Sequence, residues 1–156
     1  MSRFCGILKV TLVLALDFVS IYSLFENSYI ACIAVGVISI YVLLGGYLAL
    51  LKEGAVISKK LPAFQRNKLE AAKTQLVADV KSVSGINISG MKLYLIPGDN
   101  EMNATAYGFN CVSVARGTFD NVDPITLNAV LAHEVSHILN FDAEFNRAVF
   151  CSVTLL

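Results

Sequence analysis

The uncharged run from Tyr29 to Leu51 constrains the fold of this chain more than any other feature. It holds 23 consecutive residues without an acidic or basic side chain. At a rise of about 1.5 Å per residue, a helix of this length spans about 34 Å, whereas the hydrocarbon core of a bilayer is about 30 Å thick. The run therefore predicts a transmembrane helix.

A second apolar stretch precedes it, from Phe4 to Phe25, and carries Lys9 and Asp17. Lys9 lies near one end, where its side chain can reach the headgroups. Asp17 lies deeper, and we expect it to face the partner helix or a polar cavity, as a packing residue or with a role near substrate. A cleavable signal peptide is disfavoured because no small-x-small cleavage site precedes Glu26. The sequence thus predicts a transmembrane hairpin over residues 1–51, with the lipid bilayer as its partner.

The distribution of basic residues predicts how this hairpin is oriented. Arg3 precedes the first stretch, and the short connection at 26–28 has no basic residue. By the positive-inside rule, the N-terminus and residues 52–156 are expected in the cytoplasm. The basic residues that follow the second stretch are Lys52, Lys59, Lys60, Arg66 and Lys68.

Charge and cysteine usage exclude two classes of protein. The formal net charge is +0, and the 12 basic residues form no long run, so we expect no nucleic-acid partner. The 4 cysteines are far apart and include no C-x-x-C pair. A disulfide framework is therefore not expected, and a reducing compartment fits better.

The polar part of the chain predicts an α+β domain. Residues 62–83 keep apolar positions at helical spacing, and we expect this helix to pack on the domain core, with a membrane-surface position as the alternative. Two or three short strands follow. Asp123 and Pro124 then begin a final helix, as N-cap and first helical residue. The predicted strands are Met91–Ile96, Thr105–Phe109 and Cys111–Arg116.

The final helix carries the motif His133-Glu134-Val135-Ser136-His137, which includes both histidines of the chain. Residues four apart on a helix lie on the same face, so the two imidazoles can bind one zinc ion. Glu134 can then take a proton from a water on that ion and pass it to a leaving amine. This H-E-x-x-H arrangement is typical of zinc peptidases.

Three segments extend the motif into a family resemblance: 103–108 (NATAYG), 112–117 (VSVARG) and 127–142, which includes LNAVLAHEVSHI. Together they resemble the HtpX-like membrane zinc endopeptidases and, more distantly, the CAAX prenyl proteases. The resemblance implies an integral membrane protein of the bacterial inner membrane that cleaves membrane or misfolded proteins on the cytoplasmic side. It also implies that His133 and His137 bind Zn²⁺ and that Glu134 is the general base.

The resemblance further implies an edge along which a protein or peptide substrate lies. This edge would comprise Asn103 and Ala104 in one segment and Val112 and Val114 in the 111–116 strand. An extended peptide can add to an exposed strand edge through main-chain hydrogen bonds.

The third zinc ligand of the family is a glutamate on a later helix, yet only nineteen residues follow His137. The chain is therefore expected to be truncated. Glu144 would lie about 10 Å further along a continued helix, too far to share the ion. A bend at Asn140 would instead bring Asp142 or Glu144 round as a local third ligand.

The sequence thus predicts a transmembrane hairpin (1–51) followed by a cytoplasmic zincin-like domain (52–156) that is incomplete at its C-terminus. The predicted function is that of a membrane-anchored zinc metalloendopeptidase. The alternative is an inactive truncated homologue that acts as a small membrane interaction protein.

Overall fold

The structure is a computed structural model that describes residues 2–108 and 110–155. Phe109, the predicted end of one strand, lies outside the described residues. The chain divides into two compact units: Met1–Leu48 with Leu139–Leu156, and Ala49–Ile138. Residues 139–156 thus group with the apolar helices, and the predicted division into a hairpin (1–51) and a zincin-like domain (52–156) stays a prediction.

The first unit contains the two predicted apolar helices, α1 (Ser2–Phe25) and α2 (Ser28–Lys52), the second of which continues into the other unit. Both helices are long and apolar enough to cross a bilayer. Asn27 caps α2, because its Oδ1 accepts hydrogen bonds from the main-chain N–H groups of Tyr29 at 2.9 Å and Ile30 at 3.3 Å. Glu26 adopts the left-handed conformation (φ 50°), and with this cap the chain turns within two residues.

A third helix, α6 (Asp142–Leu155), packs against α1 in the same unit. Gly6 makes this packing possible: a Cβ atom at that position would lie 2.5 Å from the main-chain oxygen of Asn140. Asp17 is buried, with 7% of its surface exposed, as expected of a residue that faces the helix packing. The buried core of the unit consists of Ile21, Ala31, Ile38, Val42 and Ala148.

The second unit begins with a short strand, β1 (Val56–Ile57), and a 3₁₀ turn (Ser58–Lys60), followed by α3 (Ala63–Ser84). Pro62 precedes α3, and Gly85 ends it in the left-handed conformation (φ 70°). Both ends agree with the predicted helix. The remaining elements are β2 (Lys92–Ile96), β3 (Ala104–Gly108), β4 (Cys111–Ala115), α4 (Arg116–Asn121) and α5 (Pro124–Asn140).

The strands form one mixed sheet in the order β1-β2-β4-β3. β1 and β3 are antiparallel to their neighbours, whereas β2 and β4 are parallel. The predicted hairpin of β3 and β4 is confirmed, with Asn110 at φ 61° in its turn. The prediction of two or three strands is corrected to four, because β1 is too short to show a periodic pattern. Arg116, predicted as a strand residue, instead begins α4.

The two faces of the sheet are covered differently. On one face, Leu50 packs with Tyr94 and Tyr107, supported by Ala49, Ala55, Ile57 and Cys111. On the other face, the side chains of Val112 and Val114 of β4 are fully buried. The helices contribute further buried apolar residues, namely Leu69 and Leu76 of α3, Phe119 of α4, and Leu127, Leu131 and Val135 of α5.

Candidate metal and peptide site

Asp123 fixes the beginning of α5, the helix that carries the motif. Its Oδ1 accepts hydrogen bonds from the N–H groups of Ile125 at 2.9 Å and Thr126 at 3.1 Å, and its Oδ2 accepts one from the Thr126 hydroxyl at 2.6 Å. These bonds to the charged form hold the pKa of the Asp123 carboxyl below its ordinary value. The predicted N-cap is confirmed, and Asn128 adds a bond to Asp79 of α3 at 2.6 Å.

The helix brings His133, Glu134 and His137 together as the predicted site. Their ligand atoms all lie within 4.8 Å of one another. The Nε2 atoms of the two histidines are 3.3 Å apart. Two nitrogen atoms at zinc-binding distance and tetrahedral angle are separated by about 3.3–3.4 Å. The histidine pair therefore has the spacing that one tetrahedral zinc ion requires.

Glu134 is held by the sheet as well as by its helix. Its Oε2 accepts a hydrogen bond of 2.9 Å from the main-chain N–H of Ala106 in β3. The carboxylate is half-buried, and the exposed His133 and half-buried His137 leave the site open to solvent. The fold thus places the carboxylate between the histidine pair and an edge strand.

β3 is the edge strand of the sheet next to this site, because its only sheet neighbour among the described strands is β4. Ala115 of β4 donates its N–H to the carbonyl of Asn103 at 3.0 Å, and Thr105 pairs with Ser113. Hydrogen-bonded pairs alternate in an antiparallel ladder, so Ala104 and Ala106 direct their main-chain groups away from β4. The N–H of Ala106 already donates to Glu134, so an added strand would use the main-chain groups of Ala104 and the carbonyl of Ala106.

Ala104 begins the edge strand β3 and Asn103 directly precedes it, so their contact with a substrate stays a prediction. The part of the predicted edge that lies in β4 does not agree with the strand pairing. Val112 and Val114 lie on β4, which is paired on both sides by β2 and β3, and both side chains are 0% exposed. An interior strand has no free main-chain groups for a peptide, so the edge consists of the β3 segment.

Two pockets meet at this edge. The first, here called the Glu134 pocket, has a volume of about 270 Å³ and lies between β3, α4 and α5. Its lining combines apolar side chains with two threonines and the carboxylate of Glu134. The lining includes Met102, Asn103, Ala104, Val122, Val130 and Glu134.

The second, here called the acidic pocket, has a volume of about 80 Å³ and lies on the sheet face that Leu50 covers. Glu53, Asp99 and Ser113 line it, together with Asn103, Ala104 and Tyr107. The Tyr107 hydroxyl donates a hydrogen bond to Glu53. Burial and this bond raise the pKa of the Tyr107 phenol well above its ordinary value.

The sequence analysis assigned no role to Glu53, Asp99 or Ser113, which line the acidic pocket and lie in three separate parts of the chain. Ser113 falls within the 112–117 segment of the family resemblance, which implied no role for it. Asp99 follows the predicted strand of 91–96 in a turn-like sequence, a signal that concerns only the shape of the backbone. Their convergence depends on the pairing of the strands.

Asp142 and Glu144 lie in the first turn of α6 and are not members of the His133 group. Phe141, at φ 59°, separates α5 from α6, so the predicted interruption near Asn140 is present. Glu144 is buried and pairs with Arg147 at 4.0 Å. A local third ligand stays a prediction.

An H-E-x-x-H helix beside the edge strand of a small mixed sheet defines the class of metallopeptidase-like domains. The family model of "Peptidase family M48" matches residues 67–155. The chain therefore belongs to peptidase family M48.

The curated relatives are HtpX proteases. "Protease HtpX" of Acinetobacter baumannii (strain AYE) is 33% identical over 85 residues, which cover 52% of this chain and 27% of the relative. "Protease HtpX homolog" of Listeria welshimeri is 30% identical over 106 residues, 64% of this chain and 35% of the relative. The chain thus matches about a third or less of the length of these relatives. No solved structure matches.

Proposed function

We propose that this chain is a membrane-anchored zinc metalloendopeptidase that hydrolyses peptide bonds of membrane or misfolded proteins. The spacing of 3.3 Å between the Nε2 atoms of His133 and His137 carries the proposal, because it suits one tetrahedral zinc ion. The HtpX relatives support it at the level of the family.

The donor set at the site fits zinc rather than a harder cation. Two imidazole nitrogens are ligands that zinc prefers, and Glu134 is within reach of the same ion. A zinc ion held there would lower the pKa of a water molecule and polarise the substrate carbonyl. A third protein ligand is required in addition to the two histidines, and Asp142 and Glu144 remain the local proposals for it.

The residues of this chain supply the general base and the main-chain groups that hold the substrate. The N–H of Ala106 donates a hydrogen bond of 2.9 Å to the Glu134 carboxylate and orients it. Glu134 takes the proton of the attacking water and returns it to the leaving amine. The outward main-chain groups of Ala104 and the outward carbonyl of Ala106 hold the substrate as an added strand, whereas the N–H of Ala106 is engaged by Glu134, so substrate pairing and base positioning occur at neighbouring groups.

The two apolar helices α1 and α2 support the proposed anchoring in a membrane. Basic residues flank them at 3 and 52 but not in the connection. By the positive-inside rule, the domain that follows α2 lies on the cytoplasmic side of the proposed membrane.

Zinc content of the detergent-purified chain tests the metal site. We expect about one zinc ion per chain in the wild type and a large loss in His133→Ala and His137→Ala, since two of the proposed ligands are removed singly. Asp142→Asn and Glu144→Gln, measured in parallel, identify a local third ligand by the same loss. Absence of zinc from the wild type would favour the inactive interaction protein.

Peptide cleavage by Glu134→Gln tests the chemistry. The amide can still accept the Ala106 hydrogen bond but cannot take a proton, so we expect kcat to fall by about 10²–10⁴-fold. Zinc content should stay at the wild-type level. Ser136→Ala, an exposed position on the same helix, is the control and should retain activity. Undiminished cleavage by Glu134→Gln would contradict the mechanism.

A further inference from the structure

The acidic pocket and the Glu134 pocket open at the same point of the β3 edge, because Asn103 and Ala104 line both of them. They lie on opposite faces of the sheet. The acidic pocket includes Thr105 and Ser113, which form one cross-strand pair, whereas the Glu134 pocket is formed with α4 and α5. A single extended chain at this edge would pass both openings.

An extended peptide presents successive side chains to opposite faces. If it adds to β3, the side chain that enters the Glu134 pocket has neighbours that point to the face of the acidic pocket. The two pockets therefore receive adjacent residues of the substrate. Because Glu134 serves the reacting bond, both residues lie close to that bond.

The lining of the acidic pocket specifies a cation. Glu53 and Asp99 bring two carboxylates, and the residues that line the pocket include no basic side chain. Glu53 keeps one carboxylate oxygen in addition to Oε2, which Tyr107 binds. Asp99 uses its Oδ1 to accept the N–H of Glu101 at 2.9 Å, which orients its carboxylate.

Ser113 gives an independent sign of a missing ligand. It is 1% exposed, and its Oγ makes no hydrogen bond with the described residues that meets normal geometry, although the hydroxyl lies near enough to Tyr107 to lower the pKa of that phenol slightly. A buried hydroxyl without a partner is unfavourable, because nothing compensates for the loss of its hydrogen bonds to water. A donor that enters the pocket would remove this penalty.

The pocket is large enough for a side-chain head group. Its volume of about 80 Å³ is several times the roughly 10–15 Å³ that one water molecule needs on the same measure. A metal ion is disfavoured, since the three-residue metal group among the described residues is that of His133, Glu134 and His137. A lysine ammonium is compact and brings three donors, which match the acceptors of Glu53, Asp99 and Ser113.

We infer that the acidic pocket binds a lysine side chain of the substrate, at a residue adjacent to the one whose side chain enters the Glu134 pocket. This inference rests on the proposed peptidase function and adds a substrate class to it: extended segments with a lysine next to the cleaved bond. Glu53, Asp99 and Ser113 are then specificity-determining residues.

The test is a lysine scan of an N-acetylated, internally quenched peptide, assayed with the full chain in detergent. Lysine is placed in turn at each position within two residues of the cleaved bond, and norleucine at the same position is the uncharged reference. We expect lysine to raise kcat/KM about five- to tenfold at one position, since partly exposed charge pairs contribute modestly. An ammonium group can come from a lysine side chain or from a free N-terminus, and a peptide with a free N-terminus in place of that lysine distinguishes the two.

The variants Glu53→Gln and Asp99→Asn, and their combination, remove the charges while keeping the acceptors for Tyr107 and Glu101. The lysine preference should fall to about one in the double variant. Glu101→Gln is the matched control: it removes an exposed charge two residues from Asp99 but outside the pocket lining, and should keep the preference. Cleavage without a lysine preference, or a preference that survives in the double variant, would overturn the inference while leaving the hydrolysis intact.

Binding of the same peptides to the Glu134→Gln variant, measured by fluorescence anisotropy, separates the two proposals. Suppose that the wild type cleaves no peptide, but that lysine peptides bind more tightly than norleucine peptides and that this difference depends on Glu53 and Asp99. The pocket assignment then stands and the peptidase proposal fails. If binding shows no such difference either, the pocket assignment is wrong as well.

Discussion

At the scale of single residues, Asp123 links local chemistry to the site, because its carboxylate caps the helix that carries the histidines. Its pKa is lowered in the folded state from the ordinary value of 3.8 by hydrogen bonds from Thr126 and Ile125. A lowered carboxyl pKa contributes stability that is complete above the unfolded value and is lost as the pH falls through the folded value. This contribution therefore disappears in the acid range below about pH 4.

Asp123→Asn isolates this contribution, since asparagine also caps helices but carries no charge. We expect wild type to have the higher Tm between pH 5 and pH 7, and the difference in Tm to shrink as the pH falls from 4 to 3. Thermal unfolding followed by circular dichroism measures it, with Glu101→Gln as the control for an exposed acid. A difference in Tm that stays constant down to pH 3 would contradict the assignment.

At the scale of elements, the contact between α4 and the turn that carries Asp99 depends on a glycine. A Cβ atom at Gly117 would lie 2.1 Å from the main-chain oxygen of Asn100 and 2.4 Å from that of Glu101. The N–H of Gly117 also donates to the carbonyl of Asp99 at 3.1 Å. The turn and the helix therefore pack as one element, and this packing fixes the position of Asp99 in the acidic pocket.

Gly117→Ala should destabilise the domain by about 1–3 kcal/mol, the usual range for overpacking. Both partners of the clash are main-chain atoms, so the turn has to move as a whole. The free energy of unfolding in urea measures the effect. Gly90→Ala is the matched control because a Cβ atom there meets nothing within 4 Å, and equal stabilities of the two variants would show that the close approach is not maintained in solution.

At the scale of the whole molecule, the positive-inside rule predicts that the connection between α1 and α2 faces away from the cytoplasm. The prediction can be tested with single cysteines in a background in which Cys5, Cys32, Cys111 and Cys151 are replaced by serine. In intact cells, a membrane-impermeant maleimide should label Asn27→Cys, whereas Ser89→Cys should react only after lysis. Labelling of Ser89→Cys in intact cells would reverse the topology.

The sequence by itself determined the features that depend on neighbouring residues. The apolar run of 29–51, the helix that ends at Gly85, the cap at Asp123 and the histidine pair are all periodic or adjacent patterns, and the structure reproduces them. Such patterns can be read from the sequence because a helix relates residues three and four apart by its own geometry. The motif consequently fixed the central site without tertiary information.

Only the tertiary structure decided which strand lies at the edge and what converges there. The parallel pairing of β2 with β4 puts Val112 and Val114 in the interior and leaves β3 outside, a choice that depends on contacts distant in sequence. The tertiary structure also brings Glu53, Asp99 and Ser113 into one pocket. Strand order and packing are set by burial across the whole unit, and no local pattern encodes which separated segments will share a face.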